Sequence, residues 1–473
     1  MDKPKGLSLQ RVARKDFQVK TLGLSGKKVL VVGLGKSGVA ASRLLLRNGA
    51  IVTATDSNPA EKLSDDARSL SAAGVKIEAG MHRTETFLSS DLIILSPGVS
   101  AEIKPVATAK ARGIRIISEI ELACRFINTP VIAITGSNGK STTTTLICEI
   151  LRTRGDRVFA GGNIGTPLCD YVLAGNIADW VVAEISSFQL ETIEEFRPKI
   201  SVLLNISPDH LDRYHNISEY AEAKFRIFEN QGTGDTAIIN GDEPWCPELS
   251  GRIKCDTVLF SRKKKITNGI YTEDGWIISD MEGARFSVCE ISSLGIKGVH
   301  NLENAMASVA AGILAGCNRH VIETALKKFT GLEHRLEFVR EINGVRYMND
   351  SKGTNVGAVI KSIESFNEPL LLIAGGRDKG SDFSPLRPLI KERVKRLILI
   401  GEARDKIAEA AGSMTETSFA SSLQEAVSIA HREAVKGDIV LLSPACASFD
   451  MFNNFEDRGN KFKEIVWRLS SSS

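Results

Sequence analysis

Short apolar runs, separated by polar and glycine-containing stretches, recur along the whole chain. Most of these runs have the length of a buried β-strand. The stretches between them space apolar residues as a helix does, for example HNLENAMASVAAGILAG at 300–316. Strands that alternate with helices are typical of parallel sheets. The pattern therefore predicts an α/β protein built from three such units.

The first unit contains a dinucleotide-binding fingerprint. It reads KKVLVVGLGKSGVAASRLLLRNGAIVTATD from Lys27, which is an apolar strand, a glycine turn, a helix and a second strand ending at Asp56. The glycines are Gly33, Gly35 and Gly38. They permit a tight turn and the close approach of a diphosphate, and an acidic residue about twenty positions on suits a ribose hydroxyl. Taken alone, this unit indicates a nicotinamide dehydrogenase.

The second unit opens with the run PVIAITGSNGKS, a buried strand that leads into a glycine-punctuated loop. Backbone N–H groups freed by Gly136 and Gly139 can face phosphate oxygens, Lys140 can reach the β- and γ-phosphates, and the hydroxyl of Ser141 can bind Mg²⁺. The common phosphate-loop pattern has a glycine six residues before the lysine, where this chain has Ile134. A plain strand-to-helix turn is the alternative, but the GKST ending favours ATP binding.

Short β-like runs from about 242 to 295 predict an antiparallel patch appended to the second unit. After the turn at 330–335, the runs GVRYMND, LLLIAGG, RLILIG and DIVLLSP predict the strands of a third, doubly wound unit. The predicted division is an N-terminal extension over 1–25 and three domains over 26–125, 126–331 and 332–473.

Composition limits the possible partners. The chain has 473 residues, of which 42% are hydrophobic and 25% charged, and a net charge of +3, which is typical of a globular protein without a nucleic-acid partner. Its eight cysteines form no CxxC pair, which predicts free thiols rather than a zinc site. The N-terminus lacks the apolar core of a secretion signal, and no apolar run approaches membrane-spanning length. We expect a cytoplasmic protein with no membrane partner.

Polar residues directly after the strands are the first candidates for a site, because ligands of open parallel sheets bind beyond the carboxyl ends of the strands. These residues are Asn163, Glu184, Asp209, His210, Asp350, Lys352, Lys379 and Ser448. Alternatives are weighed for two of these residues and for Lys224. Glu184 can belong to the cap of the next helix with Ser186 and Ser187, and His210 can be a packed core histidine. Lys224, on a predicted amphipathic helix, is more easily explained as a solvent-exposed lysine.

Several longer motifs occur together and in a fixed order. They are TGSNGKST (135–142), AEISSFQLE (183–191), NISPDHLDRY (205–214), HNLENA (300–305), LEHRLE (332–337) and NDSKGTN (349–355). In this order they resemble the Mur ligases, a family of ATP-dependent amide ligases of peptidoglycan precursor synthesis, from about residue 26 to the C-terminus. The runs GGRDKGSDF (375–383) and LLSPACASFDMFNNFEDRGNKF (441–462) are similar to those of the members that add D-glutamate to UDP-N-acetylmuramoyl-L-alanine.

The resemblance implies a Rossmann-like UDP-binding domain, a central P-loop-type ATPase domain and a Rossmann-like C-terminal domain. The implied UDP-substrate contacts are Gly35, Lys36, Ser37, Asp56, Ser57, Gly98, Asn163 and His210. The implied ATP contacts are Gly136, Ser137, Asn138, Gly139, Lys140, Ser141, Thr142, Asn301, Asn304, Arg335, Asp350 and Lys352. Asn58 stands where relatives carry a basic residue, which leaves the contacts to uracil open.

The resemblance also implies the catalytic set Lys140, Glu184, His210 and Lys224, together with two Mg²⁺ ions. It implies that Ser141 and Glu184 lie near one ion, and that His210 and a carbamylated Lys224 lie near the other. The implied D-glutamate contacts are Thr354, Lys379, Ser448 and Phe455. Asp378 precedes Lys379 where some relatives have glycine, so the geometry of that loop is left open.

Two further alternatives remain at this point. One is a sibling ligase that accepts another amino acid, and the other is a UDP-sugar sensor that keeps the fold without catalysis. The presence of Lys140, Glu184, His210 and Lys224 favours an enzyme, and a dehydrogenase leaves the GKST loop unexplained. We expect a monomer that acts on small-molecule substrates.

Overall fold

The computed structural model describes residues 22–209, 213–281, 283–378 and 380–470. The chain divides into two compact units. One holds the residues up to Asn205 together with Ser218–Glu290 and Ala305–Leu326, and the other holds Ile206–Ile217, Ile291–Asn304 and the residues from Lys327 onward. Three mainly parallel sheets are present, which confirms the predicted three-domain α/β class. The predicted domain boundaries stay a prediction.

The N-terminal sheet has five parallel strands in the order β3-β2-β1-β4-β5. The strands are β1 Lys28–Val32, β2 Ile51–Asp56, β3 Lys76–Ala79, β4 Leu92–Leu95 and β5 Arg115–Ser118. The helices are α1 Lys36–Arg47, α2 Asp65–Ser69, α3 Thr84–Leu88, α4 Lys104–Ala111 and α5 Glu119–Cys124. A Cβ at Gly38 would lie 1.8 Å from the carbonyl oxygen of Gly33, so only glycine lets α1 start this close to the end of β1.

The second sheet has nine strands in the order β14-β13-β12-β11-β10-β9-β6-β8-β7. They are β6 Val131–Thr135, β7 Val158–Gly162, β8 Trp180–Glu184, β9 Ile200–Leu203, β10 Thr236–Asn240, β11 Asp256–Ser261, β12 Gly269–Glu273, β13 Trp276–Met281 and β14 Ala284–Glu290. The helices are α6 Lys140–Arg154, α7 Leu168–Leu173, α8 Ser187–Leu190, α9 Ile217–Phe225, α10 Cys246–Ser250, α11 Val299–Leu314 and α12 Arg319–Lys328. Only β12, β13 and β14 pair antiparallel, so the predicted patch is one edge of this sheet.

The third sheet has six strands in the order β15-β16-β20-β17-β18-β19, and only β15 runs antiparallel to its neighbour. They are β15 Glu337–Ile342, β16 Val345–Asn349, β17 Leu370–Gly375, β18 Val394–Ile400, β19 Glu416–Phe419 and β20 Ile439–Leu442. The helices are α13 Val356–Glu364, α14 Arg387–Arg393, α15 Arg404–Ala411, α16 Leu423–Glu433 and α17 Phe455–Arg468.

Two apolar cores cover the two faces of the third sheet. Along β17, Leu370 and Leu372 pack into one core, and Leu371 and Ile373 pack into the other. Burial on both faces explains why this strand is a continuous apolar run in the sequence rather than an alternating one.

The sheet orders decide which loops lie side by side. In the second sheet β6 lies between β9 and β8, and in the third sheet β20 lies between β16 and β17. The loops at the carboxyl ends of these neighbouring parallel strands therefore meet at one edge of each sheet. Among the described helices, none is both long enough and apolar enough to span a lipid bilayer.

Candidate active site

The phosphate loop follows β6, whose residues are all buried. Gly136 and Gly139 have φ values of 147° and 87°, in the region that favours glycine. A Cβ at Gly136 would lie 3.1 Å from the Cβ of Leu204, so the loop closely approaches the end of β9. Gly139 is the N-cap of α6 and brings no capping side chain, so the first N–H groups of this 15-residue helix suit an anion.

Asn205, two residues after the end of β9, holds this loop in place. Its Oδ1 accepts a hydrogen bond from the N–H of Asn138 (2.9 Å), and its Nδ2 donates to the carbonyl of Asn138 (3.1 Å). Its own carbonyl accepts from the N–H of Ser137 at 2.9 Å. The loop is therefore fixed by a neighbouring strand, and sequence reasoning assigned no role to Asn205 although it lies in the NISPDHLDRY motif.

Two lysine ammonium groups meet at the carbonyl of Gly136. Lys140 Nζ donates to it at 2.8 Å and to the carbonyl of Ser137 at 2.9 Å, and Lys224 Nζ donates to the Gly136 carbonyl at 3.0 Å. Lys224 is 1% exposed and its Nζ lies 4.4 Å from the ring centre of Tyr220, so the solvent-exposed alternative is wrong. The positive charge of Lys140 in this loop suits the phosphates of a nucleotide.

Glu184, at the end of β8, contacts two other predicted site residues. Ser141 Oγ donates to its Oε2 at 2.7 Å, and Asn163 Nδ2 donates to its Oε1 at 2.9 Å. The following helix α8 is capped by Ser186 and Gln189 in a reciprocal capping box. Glu184 is therefore not needed for the cap, and it lies buried beside the phosphate loop.

The donor set fits one magnesium ion. A buried hydroxyl and a buried carboxylate lie together at Ser141 and Glu184, and Mg²⁺ prefers such hard oxygen ligands. Among the described residues, no three His, Cys, Asp or Glu side chains lie close enough together to hold a metal. The second predicted ion involves His210, which lies outside the described residues, and Lys224, which as an ammonium group supplies no ligand.

In the compact unit that contains the third sheet, Asp350 follows β16 and is buried. Its Oδ2 accepts hydrogen bonds from Ser362 Oγ and Ser443 Oγ, both at 2.7 Å. Burial raises the pKa of Asp350 to about 6, although these hydrogen bonds oppose the shift. Neither serine was predicted from the sequence, in which Ser362 lies 12 residues and Ser443 lies 93 residues from Asp350.

Arg335 lies between two non-glycine residues with positive φ, His334 (63°) and Leu336 (46°). Such strain often marks functional loops. Of the predicted helix residues, Asn301 Nδ2 donates to the carbonyl of Lys297 (2.8 Å), and Asn304 Nδ2 donates to Asn301 Oδ1 (3.3 Å). Both asparagines are buried.

Two of the predicted D-glutamate contacts lie in neighbouring loops of the third sheet, and a third begins the last helix. Thr354 lies after β16, Ser448 lies after β20 and is 2% exposed, and Phe455 begins α17. Lys352 Nζ lies 3.6 Å from the ring centre of Phe455, a cation–π contact. Lys379 lies outside the described residues. Its neighbour Asp378 accepts hydrogen bonds from Ser381 N–H (2.9 Å) and Lys406 Nζ (2.7 Å).

Six of the predicted UDP-substrate contacts lie at the carboxyl end of the first sheet, whereas Asn163 follows β7 of the second sheet and His210 lies outside the described residues. Gly35, Lys36, Ser57 and Gly98 are exposed there, and Ser37 is half-buried. Asp56 accepts from the N–H of Leu34 at 2.7 Å and from the N–H and Nδ2 of Asn58 at 2.8 and 3.0 Å. Both carboxylate oxygens of Asp56 therefore accept hydrogen bonds from the protein itself, and two of these hydrogen bonds come from Asn58.

The fold and the phosphate loop define a nucleotide-binding α/β protein of three domains, and comparison with known proteins gives its family. The family model for the Mur ligase MurD-like N-terminal domain matches residues 27–118, that for the Mur ligase middle domain matches 134–312, and that for the Mur ligase glutamate ligase domain matches 334–446. The chain belongs to the Mur ligase family, as the sequence motifs predicted.

Curated relatives are similar over nearly their whole length. The "UDP-N-acetylmuramoylalanine--D-glutamate ligase" of Geotalea uraniireducens (strain Rf4) is 49% identical over 450 residues, 95% of this chain and 99% of the relative. The protein of the same name from Citrifermentans bemidjiense is 49% identical over 445 residues, 94% of this chain and 98% of the relative. A solved pseudomurein peptide ligase type C from Methanothermus fervidus shares the fold, with a TM-score of 0.61, 19% identity and coverage of 94% of this chain and all of that one.

Proposed function

We propose that this protein adds D-glutamate to UDP-N-acetylmuramoyl-L-alanine in an ATP-dependent, ADP-forming reaction of cytoplasmic peptidoglycan precursor synthesis. The observation that carries the chemistry is the phosphate loop. The ammonium group of Lys140 and the Nζ atom of Lys224 donate there to one carbonyl, and the buried Ser141–Glu184 pair lies beside the start of α6. The acceptor is supported by the curated relatives of that name.

The reaction needs ATP because a carboxylate is unreactive toward amines and has a poor leaving group. In the proposed sequence, an oxygen of the alanyl carboxylate attacks the γ-phosphorus, the bond to the β–γ bridging oxygen breaks, and an acyl phosphate and ADP form. The free amine of D-glutamate then attacks the acyl carbon to give a tetrahedral intermediate. Phosphate leaves, a proton is lost from nitrogen, and an amide remains.

The first step brings an anionic carboxylate onto an anionic phosphate, so positive charge at the phosphates is required. Lys140 and the N–H groups at the start of α6 bind and orient the phosphates in this proposal, and Asn205 keeps the loop in shape. Two Mg²⁺ ions, one held by Ser141 and Glu184 and one by His210 and a carbamylated Lys224, supply further charge neutralisation when bound. Carbamylation turns the ammonium group into an anionic oxygen ligand.

The remaining contacts are proposed as the sequence predicted them. Gly35, Lys36, Ser37, Asp56, Ser57, Gly98, Asn163 and His210 hold the UDP-substrate. Asn301, Asn304, Arg335, Asp350 and Lys352 hold the adenosine or phosphate part of ATP, and Thr354, Lys379, Ser448 and Phe455 hold D-glutamate. The proposal also includes the domain boundaries given above and a monomeric protein.

The test is phosphate release from ATP with UDP-N-acetylmuramoyl-L-alanine and Mg²⁺, with D-glutamate, L-alanine, L-lysine or meso-diaminopimelate as acceptor. We expect release only with D-glutamate, and its loss in Lys140→Ala. Release with another amino acid instead would keep the ligase chemistry but overturn the acceptor. If none of the four amino acids leads to phosphate release, the non-catalytic sensor is favoured.

A further inference from the structure

We propose that Arg458 is a positioning residue for the amino-acid acceptor, because its buried guanidinium group joins the loops that carry the proposed D-glutamate contacts. The inference rests on the proposed function and adds to it a residue outside the predicted contact set. Arg458 lies one turn into α17, three residues after Phe455, and is 0% exposed.

The guanidinium group makes four hydrogen bonds to oxygen atoms of two loops. Nε donates to Ser351 Oγ (3.0 Å) and Nη2 donates to the carbonyl of Ser351 (2.9 Å), in the loop after β16. Nη2 also donates to the carbonyl of Cys446 (3.2 Å), and Nη1 donates to that of Ala447 (3.4 Å), in the loop after β20. Ser448 is the next residue along this second loop.

A third loop packs on the same group. Arg377, after β17, exchanges backbone hydrogen bonds of 2.9 and 3.1 Å with Ala447. At Gly376, a Cβ would lie 2.3 Å from the carbonyl oxygen of Ala447 and 3.2 Å from Nη1 of Arg458. Because β16, β20 and β17 are neighbours in the sheet, Arg458 lies where their three loops meet.

The same network reaches the fourth element of the proposed site. Ser351 Oγ, which accepts from Arg458, donates to the carbonyl of Phe455 at 2.8 Å. The first turn of α17 is thereby tied to the loop that carries Thr354. A shift of Arg458 is transmitted to three of the four proposed D-glutamate contacts and to the loop that precedes the fourth, Lys379.

The chemistry of this group explains why a positioning role suits it. A fully buried cation is costly unless it is well hydrogen-bonded or paired, and in the described part of the chain no ion pair joins Arg458 to a carboxylate. Burial lowers its pKa to about 10, so it stays protonated at neutral pH. Its acceptors are neutral oxygen atoms spread over two loops, and only the planar fork of arginine reaches them all.

The test compares Arg458→Lys with the wild type and with Arg468→Lys. Arg468 ends the same helix and its side chain is 79% exposed, so it controls for the exchange itself. Initial rates of phosphate release give KM for D-glutamate, ATP and UDP-N-acetylmuramoyl-L-alanine separately. We expect the KM for D-glutamate to rise at least tenfold in Arg458→Lys, with the KM for UDP-N-acetylmuramoyl-L-alanine within twofold of wild type. The KM for ATP should rise less than that for D-glutamate, because Asp350 and Lys352 flank Ser351, and we expect no change in Arg468→Lys.

A folded Arg458→Lys variant with an unchanged KM for D-glutamate would overturn the inference, and so would an equal rise of all three KM values, which a merely structural role predicts. If Arg458→Lys does not fold, the same KM values are measured for Ser351→Ala, because this variant removes the hydroxyl that accepts a hydrogen bond from Arg458 Nε. A selective rise of about threefold or more supports the inference, and no selective rise overturns it. A wild-type protein that does not respond to D-glutamate would instead refute the proposed function, so the two failures are distinguishable.

Discussion

Replacement of Asn205 by alanine tests whether hydrogen bonds from a residue outside the phosphate loop keep this loop in its conformation. The substitution removes both side-chain hydrogen bonds to Asn138, of 2.9 and 3.1 Å, and keeps the backbone hydrogen bond between Ser137 and the carbonyl of residue 205. The N–H and carbonyl of Asn138, a half-buried residue, lose these two hydrogen bonds. The loop then has to be ordered by the nucleotide itself.

The size of the effect follows from the two hydrogen bonds. Each contributes about 0.5–1.5 kcal/mol net, so the loop loses about 1–3 kcal/mol of pre-organisation. If nucleotide binding has to supply this free energy, the affinity falls by a factor of about 5 to 150, since a tenfold change corresponds to about 1.4 kcal/mol. We expect the dissociation constant for ADP and the KM for ATP to rise within that range.

The assay is calorimetric titration with ADP, together with the KM for ATP. Asn240→Ala is the matched control, because Asn240 is equally buried on the neighbouring strand β10. It also makes two side-chain hydrogen bonds, to the carbonyl of Leu204 (3.1 Å) and from the N–H of Asp242 (3.0 Å). We expect a similar loss of stability in both variants and weaker nucleotide binding only in Asn205→Ala. Equal weakening in both, or none in Asn205→Ala, would refute the reasoning.

Three further predictions concern single side chains. Glu184→Gln should raise the Mg²⁺ concentration for half-maximal phosphate release by about 10- to 100-fold, measured by Mg²⁺ titration, and an unchanged Mg²⁺ dependence would contradict the assignment. Ser448→Ala should raise the KM for D-glutamate about five- to tenfold through one lost hydrogen bond, without changing the KM for ATP. Burial raises the pKa of Glu119 from 4.5 to about 7, so its contribution to stability is full below pH 4.5 and is lost as the pH rises to about 7. Glu119→Gln should abolish this loss of about 3 kcal/mol in the free energy of unfolding. Urea unfolding of both proteins at pH 4.5 and 7.5 measures the loss, and an identical pH dependence in the two proteins would contradict the prediction.

The parts of the fold that the sequence predicted have strong local signals. The phosphate loop was found because an apolar strand runs directly into Gly136, Gly139 and Lys140. Four strands of the third sheet were predicted, three of them from continuous apolar runs. The strands β15 and β19 were not predicted, because EFVREI mixes apolar and charged residues and ETSF is a short edge strand with little apolar content.

Site residues were predicted from the sequence where they lie within a recognisable motif. They were missed where their role depends on contacts with segments distant in the sequence. The clamp of Asn205 on Asn138 depends on the pairing of β6 with β9, which no local pattern states. Arg458 was missed because an arginine on a helix usually reaches solvent. It is buried here by the loop at Ser351, 107 residues away in the sequence, together with the loop at Cys446, 12 residues away. Polar residues that directly follow strands were the most useful signal, and Asn205 lies only two residues after β9.

Transfer of labelled oxygen tests the proposed reaction most directly. UDP-N-acetylmuramoyl-L-alanine with ¹⁸O in both oxygens of its alanyl carboxylate is turned over with ATP, Mg²⁺ and D-glutamate, and the phosphate and the peptide product are analysed by mass spectrometry. We expect one ¹⁸O in each phosphate released, one ¹⁸O in the new amide, and a product that contains one glutamate residue. Unlabelled phosphate, or a product without glutamate, would contradict it.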